Sequence, residues 1–323
     1  MKTIAIVAGG NSSEHDVSLR SAAAITDALK NKYITHTILI EGARWYAHGD
    51  KGRVFRIDKN DFTLETDEGK IRFDAAFIAI HGTPGENGLL QGYFDMVGIP
   101  YASSDVLCSA LTFSKNACKS FLAQFGVNMA ASVFIRNGNG YNVEDIISKT
   151  GLPCFVKPNE SGSSCGVTKV KTKEELLPAI ELAFGESPTV LVEAELKGRE
   201  VACGLAKTRD REIILPLTEI ISKNEFFDFE AKYTPGLSER VTPAKFSEEV
   251  AQTIRQTASE IYDYLGCRGI VRVDFIIVDN EPFFLEINTI SGMTAGSLIP
   301  KQAEAYGITP GELYSMVIED LFT

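Results

Sequence analysis

The chain is poor in the residues that build metal clusters and disulfide frameworks. In 323 residues it has four histidines and six scattered cysteines, at positions 108, 118, 154, 165, 203 and 267. No C-x-x-C occurs and no cysteine is paired with a histidine, so each thiol reads as a small buried hydrophobe. Two phosphate signatures are also missing. There is no G-x-x-x-x-G-K-[ST], and no G-x-G-x-x-G follows a strand, because Gly138-Asn139-Gly140 lacks its third glycine. Long apolar runs are absent too. The opening MKTIAIVAGG carries one lysine and a six-residue apolar run, too short for a signal peptide or a membrane span, so a cytoplasmic protein is expected. Basic charge is scarce, 32 Lys and Arg against 43 Asp and Glu for a net charge of -11. That argues against nucleic acid or an anionic membrane as partner, since both need a basic face.

What remains is an ordinary folded composition, 44% hydrophobic and 23% charged, with length for two or three domains. The stretch TIAIVAGGNSSEHDVSLRSAAAITDALK reads as strand, glycine turn and helix, with Val17, Leu19, Ala22, Ala23, Ile25 and Leu29 as the apolar stripe. Runs at 34–40 and 75–80 extend the same sheet, and the second ends in HGTPGENG, where open α/β sheets place ligands. The pattern is helical from about Val106 to Phe125 and extended again at ASVFIR. Residues 151–220 alternate β-rich runs with a helix at Lys173–Phe184. The following SKNEFFDFEAKYTPGLSERVTPAK has no clean period and reads as a long functional loop. A helix at 247–265, strands at 270–278 and 282–288 and a helix at 310–321 close the chain.

Two segments carry chemistry. In VKPNESGSSCGVTKV (156–170) the β-rich run ends at Lys157, a loop of small and polar residues follows, and a strand resumes. The plain alternative is a hairpin connection. The lysine adds an ammonium beside backbone N–H groups able to line an anion, which suggests phosphate. In RVDFIIVDNEPFFLEINT (272–289) two apolar runs flank DNE, a hairpin signal. Arg272 and Asp274 share a face, as do Glu286 and Asn288. A turn centred on Asn280 sets Asp274 opposite Glu286 and Arg272 opposite Asn288. Opposed carboxylates repel unless a cation lies between them, and acidic oxygens plus an amide suit Mg²⁺. The plain alternative is a solvated polar face.

These segments resemble the ATP-grasp enzymes and, among them, the D-alanine:D-alanine ligases. The resemblance runs nearly end to end through GGNSSEHDVSLRSA (9–22), HGTPGENGLLQG (81–92), the 156–170 loop, VLVEAELKGRE (190–200), FFDFEAKY (226–233), RVDF, LEINT and GMTAGSLIP (292–300), in the family's order. It implies an α/β and α+β three-domain ATP-grasp architecture. The expected units are a Rossmann-like, open parallel-sheet domain (1–105), a central domain with the ATP-phosphate flap (106–196), and a C-terminal domain with the metal site and a mobile loop (197–323).

The resemblance also implies roles. Lys115, Lys157 and Lys232 match lysines on the ATP phosphates. Glu193 and the backbone of Ala194 and Leu196 match adenine contacts, and Glu200 matches the ribose ligand. Asp274, Glu286 and Asn288 match the ligands of two Mg²⁺ ions, with Mn²⁺ as an alternative. Arg272 and the Gly292 N–H match the oxyanion site. Glu14 matches the partner of the first substrate's ammonium, where a helix-dipole glutamate is the plain alternative. His81 falls near the same subsite, with a structural hydrogen bond as its alternative. Ser297 and Leu298 match contacts to the second substrate's carboxylate. Ser163 and Tyr233 match a hydrogen-bond bridge from Glu14 to the closed loop.

EAKYTP is the dipeptide-forming version of that loop, pointing to D-alanine as second substrate; relatives that accept D-lactate carry histidine at the tyrosine. Departures from the family pattern are Ser291 for proline, Asn87 for aspartate, and Phe227 and Phe229 for tyrosines. Other readings are a ligase using D-serine or D-lactate, another ATP-grasp carboxylate-amine ligase, and a non-catalytic nucleotide-binding regulator. The resemblance further implies a homodimer.

Overall fold

A computed structural model describes residues 1–162, 164–222 and 236–323. Ile4 to Ala8 are wholly buried. A continuous apolar run is what a strand needs when both its faces are covered. Thr3–Gly9 pairs in parallel with Ile34–Glu41 on one side and Ala75–Ile78 on the other. Beyond Ile34–Glu41 the sheet continues antiparallel through Arg44–His48, Val54–Asp58, Thr63–Thr66 and Gly69–Ile71, seven strands in all. The sheet is therefore mixed, with a three-strand parallel part. Its antiparallel extension, and the helix Leu89–Val97, are not among the elements the sequence pattern singles out.

Helix His15–Leu29 packs on this sheet through Ser18, Ser21, Ala22, Ile25 and Leu29. The expected stripe is corrected at Ala23, which is exposed. Two serines take the inward positions, and the Ser18 hydroxyl accepts the Gly9 N–H at 2.9 Å. Small polar side chains let the helix lie close over the strand end. Gly9 has φ +98°, and a Cβ there would stand 2.6 Å from the Ile40 carbonyl oxygen, so the turn into the helix requires glycine.

The helical stretch after Val106 is broken into Val106–Phe113 and Lys115–Leu122, ending in a 3-10 turn at Ala123–Phe125. Ser114 between them is extended, and its hydroxyl caps the second helix by accepting the Ala117 N–H. A second sheet has the order Thr168–Val170, Cys154–Pro158, Thr189–Ala194, Ser132–Arg136, all antiparallel. Helices Val143–Thr150 and Lys173–Phe184 cover it.

The third sheet runs Ser238–Val241, Thr218–Ser222, Arg199–Lys207, Gly269–Val278, Glu281–Asn288, with Glu212–Ile214 beside Arg199–Lys207. Helices Glu248–Tyr264 and Leu298–Tyr306 pack on it. The closing helix Pro310–Asp320 returns to His15–Leu29, and the Tyr33 hydroxyl donates to Glu319 at 2.5 Å. One hydrophobic core thus joins both ends of the chain. Five cysteines are buried and Cys165 is half-buried, all as free thiols.

Candidate active site

A cleft of about 780 Å³ lies where the three sheets meet. The strand ends and loops of the first sheet bring Glu14, His81 and Glu86; the second brings Lys157 and Glu193; the third brings Glu200, Arg272, Asp274, Glu286 and Asn288. Residues as far apart in sequence as Glu14 and Arg272 line one cavity.

On the second sheet, Lys157 and Glu193 occupy adjacent antiparallel strands, offset diagonally because Lys157 pairs with Leu191 and Glu193 with Phe155. The Glu193 carboxylate receives hydrogen bonds from Lys157 on one oxygen and from Lys119 on the other. Burial opposes its charge, but Lys157 and Lys119 hold the carboxyl down at about 2. Burial likewise opposes the Lys157 ammonium, which Glu193, and then Glu286 and Glu200, raise above its ordinary value. Lys115 reaches across to the 156–170 loop and donates to the Ser161 carbonyl at 2.6 Å. The Ala194 N–H donates to the Ala131 carbonyl at 2.9 Å.

On the third sheet the expected pairing is observed, Asp274 with Glu286 and Arg272 with Asn288. The turn differs from the expected one. Asp279 and Asn280 form a two-residue loop, both with positive φ, and Val278 pairs with Glu281. A bulge between Asp274 and Phe275 then shifts the register by one residue. Arg272 grips Asp274 through Nε at 2.8 Å and Nη2 at 2.7 Å. The Asn288 amide donates to the same carboxylate at 3.2 Å. Burial works against the Arg272 charge, yet Asp274 and more distant Glu286 and Glu200 raise its pKa.

At the mouth of the first sheet, Glu14 sits at the N-cap of His15–Leu29 without capping the helix through its side chain. Its carboxylate instead lies against the 156–170 loop. A Cβ on Gly162 would stand 2.4 Å from Glu14 Oε2, so a larger residue there would require the Glu14 side chain to move. His81 is buried, which lowers its pKa against the opposing pull of Glu14. Its Nε2 is buried without a hydrogen-bond partner among the described residues. Glu86 accepts the Gly82 N–H at 2.7 Å. Burial, with Glu14 next, pushes its carboxyl up to about 8.

Gly292, Ser297 and Leu298 complete this end of the cleft. Ser297 precedes helix Leu298–Tyr306, and its hydroxyl shares a 2.8 Å hydrogen bond with Thr294. Leu298 opens that helix, where N–H groups have no intrahelical acceptor and suit a carboxylate. Leu196 and Glu200 line the cleft with Glu193. Ser163, Lys232 and Tyr233 lie outside the described residues.

Sequence reasoning missed Lys119 and Glu86. Lys119 is one helical turn after Lys115 on Lys115–Leu122, an i,i+4 spacing that places both on one face. Glu86 stands in the glycine-rich HGTPGENG, but nothing in that string marks it as desolvated.

Comparison with known proteins bears on the family and the fold. The family models described as D-ala D-ala ligase N-terminus and C-terminus match residues 3–104 and 121–319. The chain belongs to the D-alanine–D-alanine ligase family. A D-alanine–D-alanine ligase of Phocaeicola vulgatus is 50% identical over 323 residues, covering 99% of each chain. The VanG D-Ala:D-Ser ligase of Enterococcus faecalis superposes with a TM-score of 0.88 at 33% identity, over 99% of both chains. The Bacillus anthracis D-alanine–D-alanine ligase complexed with ATP gives 0.81 at 29% identity, covering 100% of this chain and 98% of that one.

The ligase's hairpin can be tested for a metal from its own donors. No group of three His, Cys, Asp or Glu side chains able to hold a metal ion occurs among the described residues. The facing pair Asp274 and Glu286 with the Asn288 amide is a small, hard, all-oxygen set. That fits Mg²⁺, which takes one or two carboxylates and completes its shell with water and substrate phosphate.

Proposed function

We propose that the chain joins two molecules of D-alanine to D-alanyl-D-alanine for peptidoglycan synthesis, spending one ATP to give ADP and phosphate. A single observation carries the residue-level reading: one cleft is lined by Lys115, Lys157, Glu14, His81, Arg272 and the opposed carboxylates Asp274 and Glu286. A carboxylate is a poor electrophile, so the first D-alanine must be activated. Its ammonium pairs with Glu14, beside His81, while its carboxylate faces the γ-phosphate of ATP. Transfer of that phosphoryl group gives an acyl phosphate. The neutral amine of the second D-alanine then attacks the acyl carbon, phosphate leaves with the electrons of the broken C–O bond, and the proton lost from the nitrogen ends on the released phosphate.

Phosphoryl transfer is governed by positioning and charge. Lys115, Lys157 and Lys232 hold the phosphates, Glu193, Ala194 and Leu196 the adenine, and Glu200 the ribose. Asp274, Glu286 and Asn288 are the residues that would hold Mg²⁺, which when bound neutralises phosphate charge. Arg272 and the Gly292 N–H stabilise the tetrahedral oxyanion, and Ser297 with the first turn at Leu298 takes the second substrate's carboxylate. The 156–170 loop is a flap over the phosphates, with Ser163 bridging Glu14 to Tyr233. Ser163→Ala is expected to lower kcat while leaving the Kd for ATP nearly unchanged; an unchanged kcat removes the bridge from the mechanism.

The division at 105 and 196 is proposed on the strength of the three separate sheets. A homodimer, for which light scattering is the direct test, and a cytoplasmic location belong to the same reading. No helix among the described residues is long and apolar enough to cross a membrane. The deciding assay is phosphate release from Mg·ATP with D-alanine alone, L-alanine alone, and D-alanine mixed with D-serine or D-lactate, the products identified by mass. D-alanyl-D-alanine with one phosphate per bond is expected. A mixed product in preference to it would transfer the assignment to the D-serine or D-lactate reading.

A further inference from the structure

Lys119 is a buried cation that the proposed mechanism does not use. Its side chain is 6% exposed, and its ammonium donates to one Glu193 oxygen and, at 3.0 Å, to the Ala130 carbonyl. The other Glu193 oxygen takes Lys157. A buried carboxylate shared by two ammonium groups divides its attraction between them. We propose that Lys119 is a positioning residue for ATP: by occupying half of Glu193 it keeps Lys157 detachable, so that Lys157 can turn to the nucleotide phosphates.

The geometry supports this in three ways. Lys119 cannot itself reach a ligand without leaving its place, since the Ala130 carbonyl and Glu193 hold it within the wall. Lys157 is the more exposed of the two, at 15%, and lines the cleft. Lys115, one turn earlier on the same helix, already reaches the flap at Ser161, so a displaced helix face would disturb both phosphate cations together. With Lys119 removed, Glu193 has Lys157 as its remaining ammonium and both oxygens close on it. Phosphate must then pull Lys157 away from an otherwise uncompensated buried carboxylate.

The inference rests on the reading that Lys157 meets the phosphates, and the test separates the two. Calorimetric affinities for ATP, ADP and adenosine are measured on wild type, Lys157→Met, Lys119→Met, Lys119→Arg and the double variant Lys119→Met with Glu193→Gln. Lys119→Met should weaken ATP and ADP by about tenfold to a hundredfold, the scale of one charge contact near a protein surface, with adenosine little changed. Lys119→Arg should stay near wild type. The double variant should regain the ratio of ATP to adenosine affinity relative to Lys119→Met, because the carboxylate that traps Lys157 is gone and the ratio cancels whatever adenine contact Glu193 loses; it also keeps the test open if Lys119→Met does not fold. Parallel loss for all three ligands, or no recovery in the double variant, overturns the positioning role and leaves Lys119 a structural residue. If Lys157→Met leaves the ratio of ATP to adenosine affinity unchanged, the phosphate reading itself fails and the proposal falls with it.

Discussion

The two ionic clusters of the cleft solve opposite problems with similar parts. At Glu193 one carboxylate lies between two lysines. On the 272–288 hairpin two carboxylates face each other across adjacent strands and a single arginine bonds to Asp274. The attraction in the first cluster runs diagonally between strands for Lys157 and from a helix for Lys119, whereas the repulsion in the second is directly opposite, where side chains stand nearest. Both clusters are desolvated. The first is complete without a ligand, because each carboxylate oxygen meets an ammonium. The second sets two carboxylates face to face in its register, an all-oxygen pair of the kind that a divalent cation can bridge. One wall therefore offers ammonium groups that suit phosphate, and the other offers hard oxygen donors that suit a divalent cation.

The sharpest way to separate the walls is to neutralise a carboxylate in each. Glu286→Gln should lower kcat about a thousandfold, the scale of losing one main electrostatic group at a transferring centre. In the absence of Mg²⁺ it should leave the melting temperature unchanged or higher, because a like-charge pair has been removed. Phosphate-release kinetics with a Mg²⁺ titration, beside calorimetry, tests both halves; lower stability with full activity would place the metal elsewhere. Glu193→Gln should do the reverse in stability. It leaves Lys119 and Lys157 without their carboxylate and should cost about 3 kcal/mol, read from urea midpoints without nucleotide. An unaltered midpoint would mean that water, not Glu193, satisfies the two lysines.

The contrast was only partly legible in the sequence. Alternation along the hairpin put Arg272 with Asp274 and Glu286 with Asn288 because side-chain period is fixed at two. The facing of Asp274 and Glu286 followed from a turn centred on Asn280, whereas the real turn is Asp279-Asn280 and is one residue out of that register. The bulge beside Asp274 restores the pairing, and nothing in a string of residues announces a bulge. The other wall was half visible. Lys157 and Glu193 stood out through the motifs around them, but Lys119 needed knowledge of which helix face turns inward. Ala23 failed for the same reason: periodicity fits an apolar stripe, while burial there follows the small serines at 18 and 21.

Glu86 belongs to neither wall and sharpens the comparison, since among the described residues it is a carboxylate held by backbone N–H groups with no cation bonded to it. Gly82 donates to it at 2.7 Å, yet burial, followed by the nearby Glu14, outweighs that bond and puts its pKa at about 8. The folded chain then keeps a proton that the unfolded chain gives up near the ordinary glutamate value. Between roughly pH 4.5 and 8 the folded state binds more protons, so this group's contribution to stability falls as pH rises and levels off above about 8. Glu86→Gln removes that dependence. Its advantage over wild type should be absent at pH 4, grow through the window, and reach about 2 kcal/mol at pH 9, a value that allows for screening by water in the cleft. Urea midpoints at pH 4, 6.5 and 9 test it. Parallel profiles would show that the backbone N–H groups stabilise the Glu86 carboxylate as fully as the lysines stabilise Glu193, and the distinction between cation-held and backbone-held carboxylates in this cleft would disappear.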